Sequence, residues 1–348
     1  MAAEKLGTLV IGGGWVSQCS YLDFFHASDD TPLVAVADPS PAIQEHLQKT
    51  YAGTTIVSDY REVLEDDALQ LVVVSTPHNL HHAMVTDALK AGKHVICEKP
   101  IAISVSEADG MIECAKECGK RLFVGLNMRY DPRNRMILDA IQGEALGRVY
   151  LGRVSYMGYE VKRFADPKNW KGELERAGGG VLLDGGYHVV DLLNMLFGPA
   201  KSVQAMGGRL VIETEGKGED NLMLQVEFES GVVASLFASF TVRNVGCDDE
   251  PTLGLQLDLF GTKGSLYTSY DSPTRRSEFK VVTHEGAEPR DPATLTVPEI
   301  KQNFLDSIRT GSDTLVTALD ARNALAVVEA AYTSMRSGGA VAVDWRHD

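Results

Sequence analysis

Asp184 and His188 stand four residues apart within the run Gly178-Gly179-Gly180-Val181-Leu182-Leu183-Asp184-Gly185-Gly186-Tyr187-His188-Val189-Val190-Asp191. On a helix that spacing stacks two side chains on one face. A carboxylate beside an imidazole orients the ring and stabilises its protonated form, which suits a histidine that takes up a proton during a reaction. The glycines upstream permit backbone to pass close to a ligand. The same residues also fit a plainer arrangement, in which Asp184 complements a helix dipole and His188 is a satisfied core residue. Either way a helix is expected, because Leu182, Val189, Leu192, Leu193 and Leu196 can share one helical side.

A second set of chemical residues lies in the first third of the chain. Gly12-Gly13-Gly14-Trp15-Val16-Ser17 follows a short apolar run and opens a helical pattern, the context in which a glycine turn binds a dinucleotide. Gly12 permits the tight turn, and Gly14 lets backbone approach a pyrophosphate at the helix start. Ser17 occupies the third position in place of glycine. Asp38 ends the second apolar run, where a carboxylate accepts hydrogen bonds from the adenosine ribose and repels a 2′-phosphate, favouring NAD over NADP. Ser75-Thr76-Pro77 and Glu98-Lys99-Pro100 end two later runs at the carboxyl edge of the expected sheet, where ligands bind. A lysine held there can move a proton or stabilise an alkoxide, whereas the plainer alternative is a solvated charge pair halted by proline. The proline can also carry a cis bond. His78, His81 and His82 have helical spacing, but no cysteine or carboxylate cluster accompanies them, and no metal site is assigned.

The elements that must position these groups change character along the chain. Apolar runs at Leu6 to Ile11, Leu33 to Ala37, Leu69 to Val74, Val95 to Cys97 and Leu122 to Val124 alternate with helical segments, including Trp15 to Ala27. That alternation specifies βαβ units and a doubly wound parallel sheet, placed at residues 1–125. Beyond it come helices near Arg133 to Gln142 and after Asp184. Strand-like runs then follow one another at Leu222 to Phe228, Val232 to Phe240, Leu255 to Phe260 and Ser265 to Ser269. Turn-rich links separate them at Glu215 to Gly218 and Asn244 to Pro251. Two more helices are expected near Pro298 to Thr310 and Leu319 to Arg336, and residues 126–348 read as a second α/β domain with an open, mainly antiparallel sheet. Its exposed face suits a homodimer or homotetramer.

Bulk properties fit two soluble domains: 348 residues, 44% hydrophobic and 23% charged. A formal charge of -15 opposes nucleic acid and anionic membrane as partners. Cys19, Cys97, Cys114, Cys118 and Cys247 are odd in number and irregularly spaced, as expected of reduced thiols rather than a disulfide framework. No signal peptide and no membrane-length apolar stretch is visible, so a cytoplasmic location is expected.

Together the glycine turn at Gly12, the stretch from Thr76-Pro77 to His81, Lys93-His94-Val95 leading into Glu98-Lys99-Pro100, and Asn127 to Pro132 resemble the Gfo/Idh/MocA family. The resemblance continues through Gly178 to Asp191 and a tail with Arg309-Thr310-Gly311 and Ala324-Leu325, and so covers nearly the whole chain. It implies an N-terminal Rossmann domain, a C-terminal α/β domain with an open sheet, and NAD(P)-dependent oxidation of a sugar or polyol hydroxyl. By that resemblance Lys99 and His188 would flank the reacting hydroxyl, Asp184 would hold His188, and Glu98 would approach the nicotinamide ribose. The expected cofactor contacts are Gly12, Gly14, Trp15, Val16, Asp38, Ser75, Thr76, Pro77, His81, Glu98, Lys99 and Asn127. The expected substrate contacts are Lys99, Arg129, Tyr159, Trp170, Asp184 and His188. Trp170, in the segment from Lys162 to Arg176 with five basic and three acidic residues, could stack on a pyranose face, although a solvated loop is the plainer reading. Two other functions stay open: glycoside cleavage with a retained NAD, and a non-catalytic sugar or nucleotide sensor.

Overall fold

The apolar runs of the first third pair side by side to form one parallel sheet, with a register shift between Thr8 and Leu9 where the first strand meets the second. The computed structural model describes residues 5–143, 145–166, 168–213, 218–243, 253–271, 276–283, 286–289 and 295–347. It divides into two compact units, Met1–Gly125 with Asp306–Ala318, and Leu126–Leu305 with Leu319–Asp348. In the first, strands β1 (Thr8–Ile11), β2 (Leu33–Ala37), β3 (Thr55–Val57), β4 (Leu71–Val74), β5 (His94–Cys97) and β6 (Leu122–Val124) lie in the order β3-β2-β1-β4-β5-β6. Every pairing is parallel. β1 and β4 are buried along their whole length, as continuous apolar runs require when helices cover both sheet faces. The strand order reverses at β1, so the carboxyl ends of β1 and β4 open the crevice where such sheets bind ligands. β3 is a three-residue edge strand without a buried side chain, too short and too exposed to leave an apolar signal.

Among the described residues the second unit is built on nine strands: β7 (Val149–Gly158), β8 (Ala200–Gly208), β9 (Asn221–Phe228), β10 (Val233–Ser239), β11 (Leu253–Gly261), β12 (Gly264–Asp271), β13 (Arg276–Thr283), β14 (Gly286–Pro289) and β15 (Val341–Ala342). Their order is β14-β13-β12-β11-β7-β10-β9-β8-β15. All neighbours run antiparallel except β7 and β10, which are parallel. Burial alternates with period two: Leu222, Leu224, Val226 and Phe228 point inward on β9 while Met223 and Gln225 are exposed. The inner face is bound to helices. Ser334 of the helix Ala318–Ser337 accepts the Ala205 N–H of β8, and Tyr187 of the helix Tyr187–Phe197 donates to the Ala321 carbonyl at 2.6 Å.

The central strand β7 escapes a reading for apolar runs, because Gly152, Arg153, Ser155 and Gly158 interrupt it. The link expected from Asn244 to Pro251, with Cys247, lies outside the described residues, as do Glu215, Gly216 and Lys217 of the turn expected from Glu215 to Gly218. Cys97 and Cys114 are buried, but Cys19 is exposed on the first helix.

Candidate active site

At the end of β1 the chain turns through Gly12, whose φ of +93° lies in the left-handed region that favours glycine. A Cβ there would also sit 2.2 Å from the Ser75 carbonyl oxygen, so the turn and the end of β4 touch. Gly13 donates to Asp38 Oδ2 at 2.8 Å and Ser40 donates to Oδ1 at 2.9 Å. Asp38 is thus the clamp that closes the turn onto β2, and its carboxylate keeps lone pairs for further donors. Helix begins at Trp15 with no described side chain capping its start, and among the described residues a Cβ added at Gly14 would meet nothing within 4 Å. An uncapped helix start facing open space, at a sheet's switch point, has the donors and the room that a pyrophosphate needs. Trp15 is 72% exposed and Val16 half-buried beside it. Ser17 is fully buried and its hydroxyl donates to the Gly12 carbonyl, so the side chain in place of a third glycine is used to fasten the turn.

Ser75, Thr76 and Pro77 follow β4, all half-buried. One strand over, the Glu98 carboxylate receives the Tyr21 hydroxyl at 2.7 Å and the Lys99 N–H at 3.1 Å. Lys99 is half-buried and its bond to Pro100 is cis. His81, expected among the cofactor contacts, is 0% exposed. Its Nδ1 lies 2.9 Å from the Pro100 carbonyl and its Nε2 3.0 Å from the Thr76 carbonyl. Burial lowers its pKa ahead of every other influence. The ring therefore braces the turn after β4 against the turn after β5 from beneath.

In the second unit the glycine block is packed by protein. A Cβ at Gly179 would lie 2.1 Å from the Tyr332 hydroxyl, and one at Gly180 only 1.9 Å from the Glu219 carbonyl oxygen. Glu219 is buried, and its carboxylate accepts the N–H groups of Gly180 (3.0 Å) and Leu182 (2.9 Å) and the Tyr332 hydroxyl (3.0 Å). The glycines thus admit Glu219 and Tyr332, where the sequence suggested a ligand. The chain then winds through a π-turn, Leu182–Gly186, directly into the helix Tyr187–Phe197. Asp184 lies in the π-turn and His188 in the first turn of the helix, the latter half-buried among buried neighbours.

Asp184 Oδ1 pairs with Lys171 Nζ at 2.6 Å, with side-chain exposures of 11% and 12%. Lys171 follows Trp170 on a short 3₁₀ turn, Trp170–Gly172, capped by Asn169, and its Nζ is 5.9 Å from the centre of the half-buried Trp170 ring. Tyr156 of β7 packs beneath, since a Cβ at Gly185 would come within 2.4 Å of its ring. Burial, then the charges of Asp184 and Glu160, push the Tyr156 phenol well above its ordinary value. Burial likewise raises Glu160, which Arg163 opposes.

Arg129, expected to contact substrate, is buried and bound to Asp191 through Nε and Nη2, with Asp320 3.0 Å from Nη2. Its guanidinium joins three segments of the unit's interior, a structural arrangement that the residue type alone does not reveal. Tyr159 is half-buried, with its hydroxyl accepting from Arg243 at 2.8 Å and the guanidinium over its ring. Asn127 is exposed at the start of a 3₁₀ turn. Lys171, Tyr21, Glu219 and Tyr332 were not anticipated individually. Lys171 had one signal, its place in the segment Lys162 to Arg176 around Trp170, where five basic residues outnumber three acidic ones.

Residues 6–126 match the model of an oxidoreductase family with an NAD-binding Rossmann fold, and residues 135–267 match that family's C-terminal domain. The chain is 32% identical over 244 residues to 1,5-anhydro-D-fructose reductase of Ensifer adhaerens, covering 69% of each protein. It is 27% identical over 307 residues to levoglucosan dehydrogenase of Pseudarthrobacter phenanthrenivorans, covering 80% of this chain and 76% of that protein. With scyllo-inositol 2-dehydrogenase (NAD(+)) of Bacillus subtilis it shares 26% over 343 residues, 93% of this chain and 94% of the other. Its fold is similar to that of the WlbA dehydrogenase from Bordetella pertussis, solved with NADH and UDP-GlcNAcA, with a TM-score of 0.84 at 23% identity, covering 99% of this chain and 100% of the other. The chain belongs to the Gfo/Idh/MocA family of oxidoreductases.

Proposed function

We propose that this chain is an NAD-dependent dehydrogenase that oxidises a hydroxyl of a sugar, a sugar derivative or a cyclic polyol. The observation that carries the reading is the open, uncapped helix start at Gly14, flanked by the ends of β4 and β5 with Thr76, Glu98 and Lys99. Curated relatives that act on levoglucosan, scyllo-inositol and 1,5-anhydro-D-fructose support the substrate class. The pyrophosphate is assigned to the backbone of Gly12, Gly14, Trp15 and Val16, and the adenosine ribose to Asp38, whose charge disfavours a 2′-phosphate. Ser75, Thr76, Pro77, Glu98, Lys99 and Asn127 complete the assigned cofactor contacts, with His81 as a brace.

NAD, when bound, supplies the hydride acceptor. The protein's part is orientation and the proton. His188 removes the hydroxyl proton as the carbon gives up its hydride, Asp184 aligns the imidazole and contacts substrate, and Lys99 stabilises the oxygen as its proton leaves. Trp170 is assigned to the sugar face. Arg129 is assigned instead to holding the unit's interior through Asp191.

We also assign the enzyme to the cytoplasm, as a homodimer or homotetramer. Met206, Met223 and Phe237 are register partners across β8, β9 and β10 and form an exposed apolar row on one sheet face, a surface suited to a second copy. Light scattering of the intact chain and of Met223→Glu tests this, a monomeric wild type being contrary.

The activity is tested by following NADH absorbance with NAD, then NADP, over sugars, inositols and sugar phosphates. Turnover with NAD on at least one neutral sugar or polyol is expected. Copurified NAD that never exchanges, with no net NADH from any substrate, would move the protein to glycoside cleavage.

A further inference from the structure

Tyr21 follows the glycine turn in sequence, yet its hydroxyl bonds to the carboxylate that comes directly after β5. It belongs to a π-turn, Gln18–Leu22, inserted between the helical segments Trp15–Ser17 and Asp23–His26. Its ring is 6% exposed and stacks on Phe25 with centroids 6.5 Å apart. The hydroxyl reaches across 77 residues of sequence to Glu98 Oε1 at 2.7 Å. Glu98 Oε2 accepts the Lys99 N–H at 3.1 Å, and the carboxylate lies flat over Gly125, where a Cβ would come within 3.2 Å of it. Three constraints, from three segments, thus hold one half-buried carboxylate at the carboxyl edge of β5. A phenol has one proton to donate and a carboxylate accepts about four hydrogen bonds, so these contacts leave lone pairs for ligand hydroxyls. Inserted turns of this kind recur at functional sites because they re-aim the side chains of an otherwise regular helix.

We propose that Tyr21 is a positioning residue for cofactor binding: it aims the Glu98 carboxylate at the hydroxyls of the nicotinamide-side ribose, linking the pyrophosphate turn to the reacting end of the dinucleotide. The inference rests on the reading that this unit binds NAD. It predicts an affinity effect divided along the ligand. ADP carries the adenosine and pyrophosphate but lacks the second ribose, so it does not reach Glu98.

The test is calorimetric titration of NAD and of ADP into wild type, Tyr21→Phe, Glu98→Gln and the double variant. Tyr21→Phe keeps the ring and its stacking, and unchanged thermal unfolding confirms that the helix is intact. Loss of one aiming hydrogen bond should weaken NAD roughly 3- to 10-fold and leave ADP within about twofold. The double variant should bind NAD no more weakly than Glu98→Gln alone, since Tyr21 acts through that carboxylate. Equal weakening of NAD and ADP, an unchanged NAD affinity, or additive losses in the double variant would each overturn the proposal. A wild type that binds ADP but not NAD would remove the NAD reading itself, and this inference with it.

Discussion

Gly14 and Gly180 each close a glycine triplet ahead of a helix, and their surroundings are opposite. Among the described residues a methyl at Gly14 would meet nothing within 4 Å, whereas at Gly180 it would lie 1.9 Å from the Glu219 carbonyl oxygen. In the first unit the small residue keeps space open beside a helix start that no described side chain caps. In the second it lets Glu219 and Tyr332 close onto the backbone and set the direction of the helix that follows. A glycine run is therefore a ligand cradle only where protein has not already filled it. Both helices then pass through a π-turn, and each π-turn carries a residue tied to a chemical group: Tyr21 to Glu98, Asp184 to Lys171.

The contrast is broken or sharpened by substitutions at matched places. Gly180→Ala should be the most damaging, because the clash is with backbone that cannot move aside; a loss of about 3 kcal/mol or more is expected, read as a lower unfolding midpoint. Lys171→Met should come next. Removing one partner of a mostly buried pair leaves the Asp184 carboxylate beside Tyr156 and Glu160, for a loss of about 2 kcal/mol in stability, with turnover down at least roughly tenfold and partly restored in Lys171→Arg. Unaltered kinetics in Lys171→Met would detach that pair from the reaction. Gly14→Ala should leave the unfolding midpoint unchanged, since Gly14 has φ -70° and room for a Cβ, but weaken NAD by roughly tenfold, about 1.4 kcal/mol. A stability loss there, with NAD affinity intact, would reverse the comparison.

The smallest effect concerns pH. Burial pushes the Glu219 carboxyl up, against the backbone N–H groups and the Tyr332 hydroxyl that bind it. A carboxyl raised in the folded chain contributes stability that is present below its unfolded value and lost as pH rises through the folded one. Relative to Glu219→Gln, the wild type should therefore lose stability as pH rises from acid to neutral, measured as unfolding midpoints of the two proteins across that range. A wild type that gains stability relative to Glu219→Gln as pH rises would contradict the assignment.

Local pattern carried much of the fold. Leu33 to Ala37 and Leu122 to Val124 form strands with the expected bounds, because a continuous apolar run between turns has few other uses in a parallel sheet. β7 was hidden because its alternation is interrupted by glycine and polar residues. Site groups divided the same way. The Gly12 turn and Glu98-Lys99-Pro100 are recognisable as short motifs in context. The ion pairs of Arg129 could not be read from the sequence, because its partners Asp191 and Asp320 are distant along the chain and meet it only in the folded unit. Lys171 and Tyr21 were missed for the same physical reason: their partners lie 13 and 77 residues away, beyond any periodic signal.

The most direct test is His188→Ala, assayed for NADH formation on a substrate that wild type oxidises and for NAD affinity in the same preparation. Loss of a general base should lower turnover roughly 100- to 10,000-fold while NAD binding stays within about twofold. Wild-type turnover in that variant would show that another group takes the proton and that the imidazole belongs to the packed interior alone.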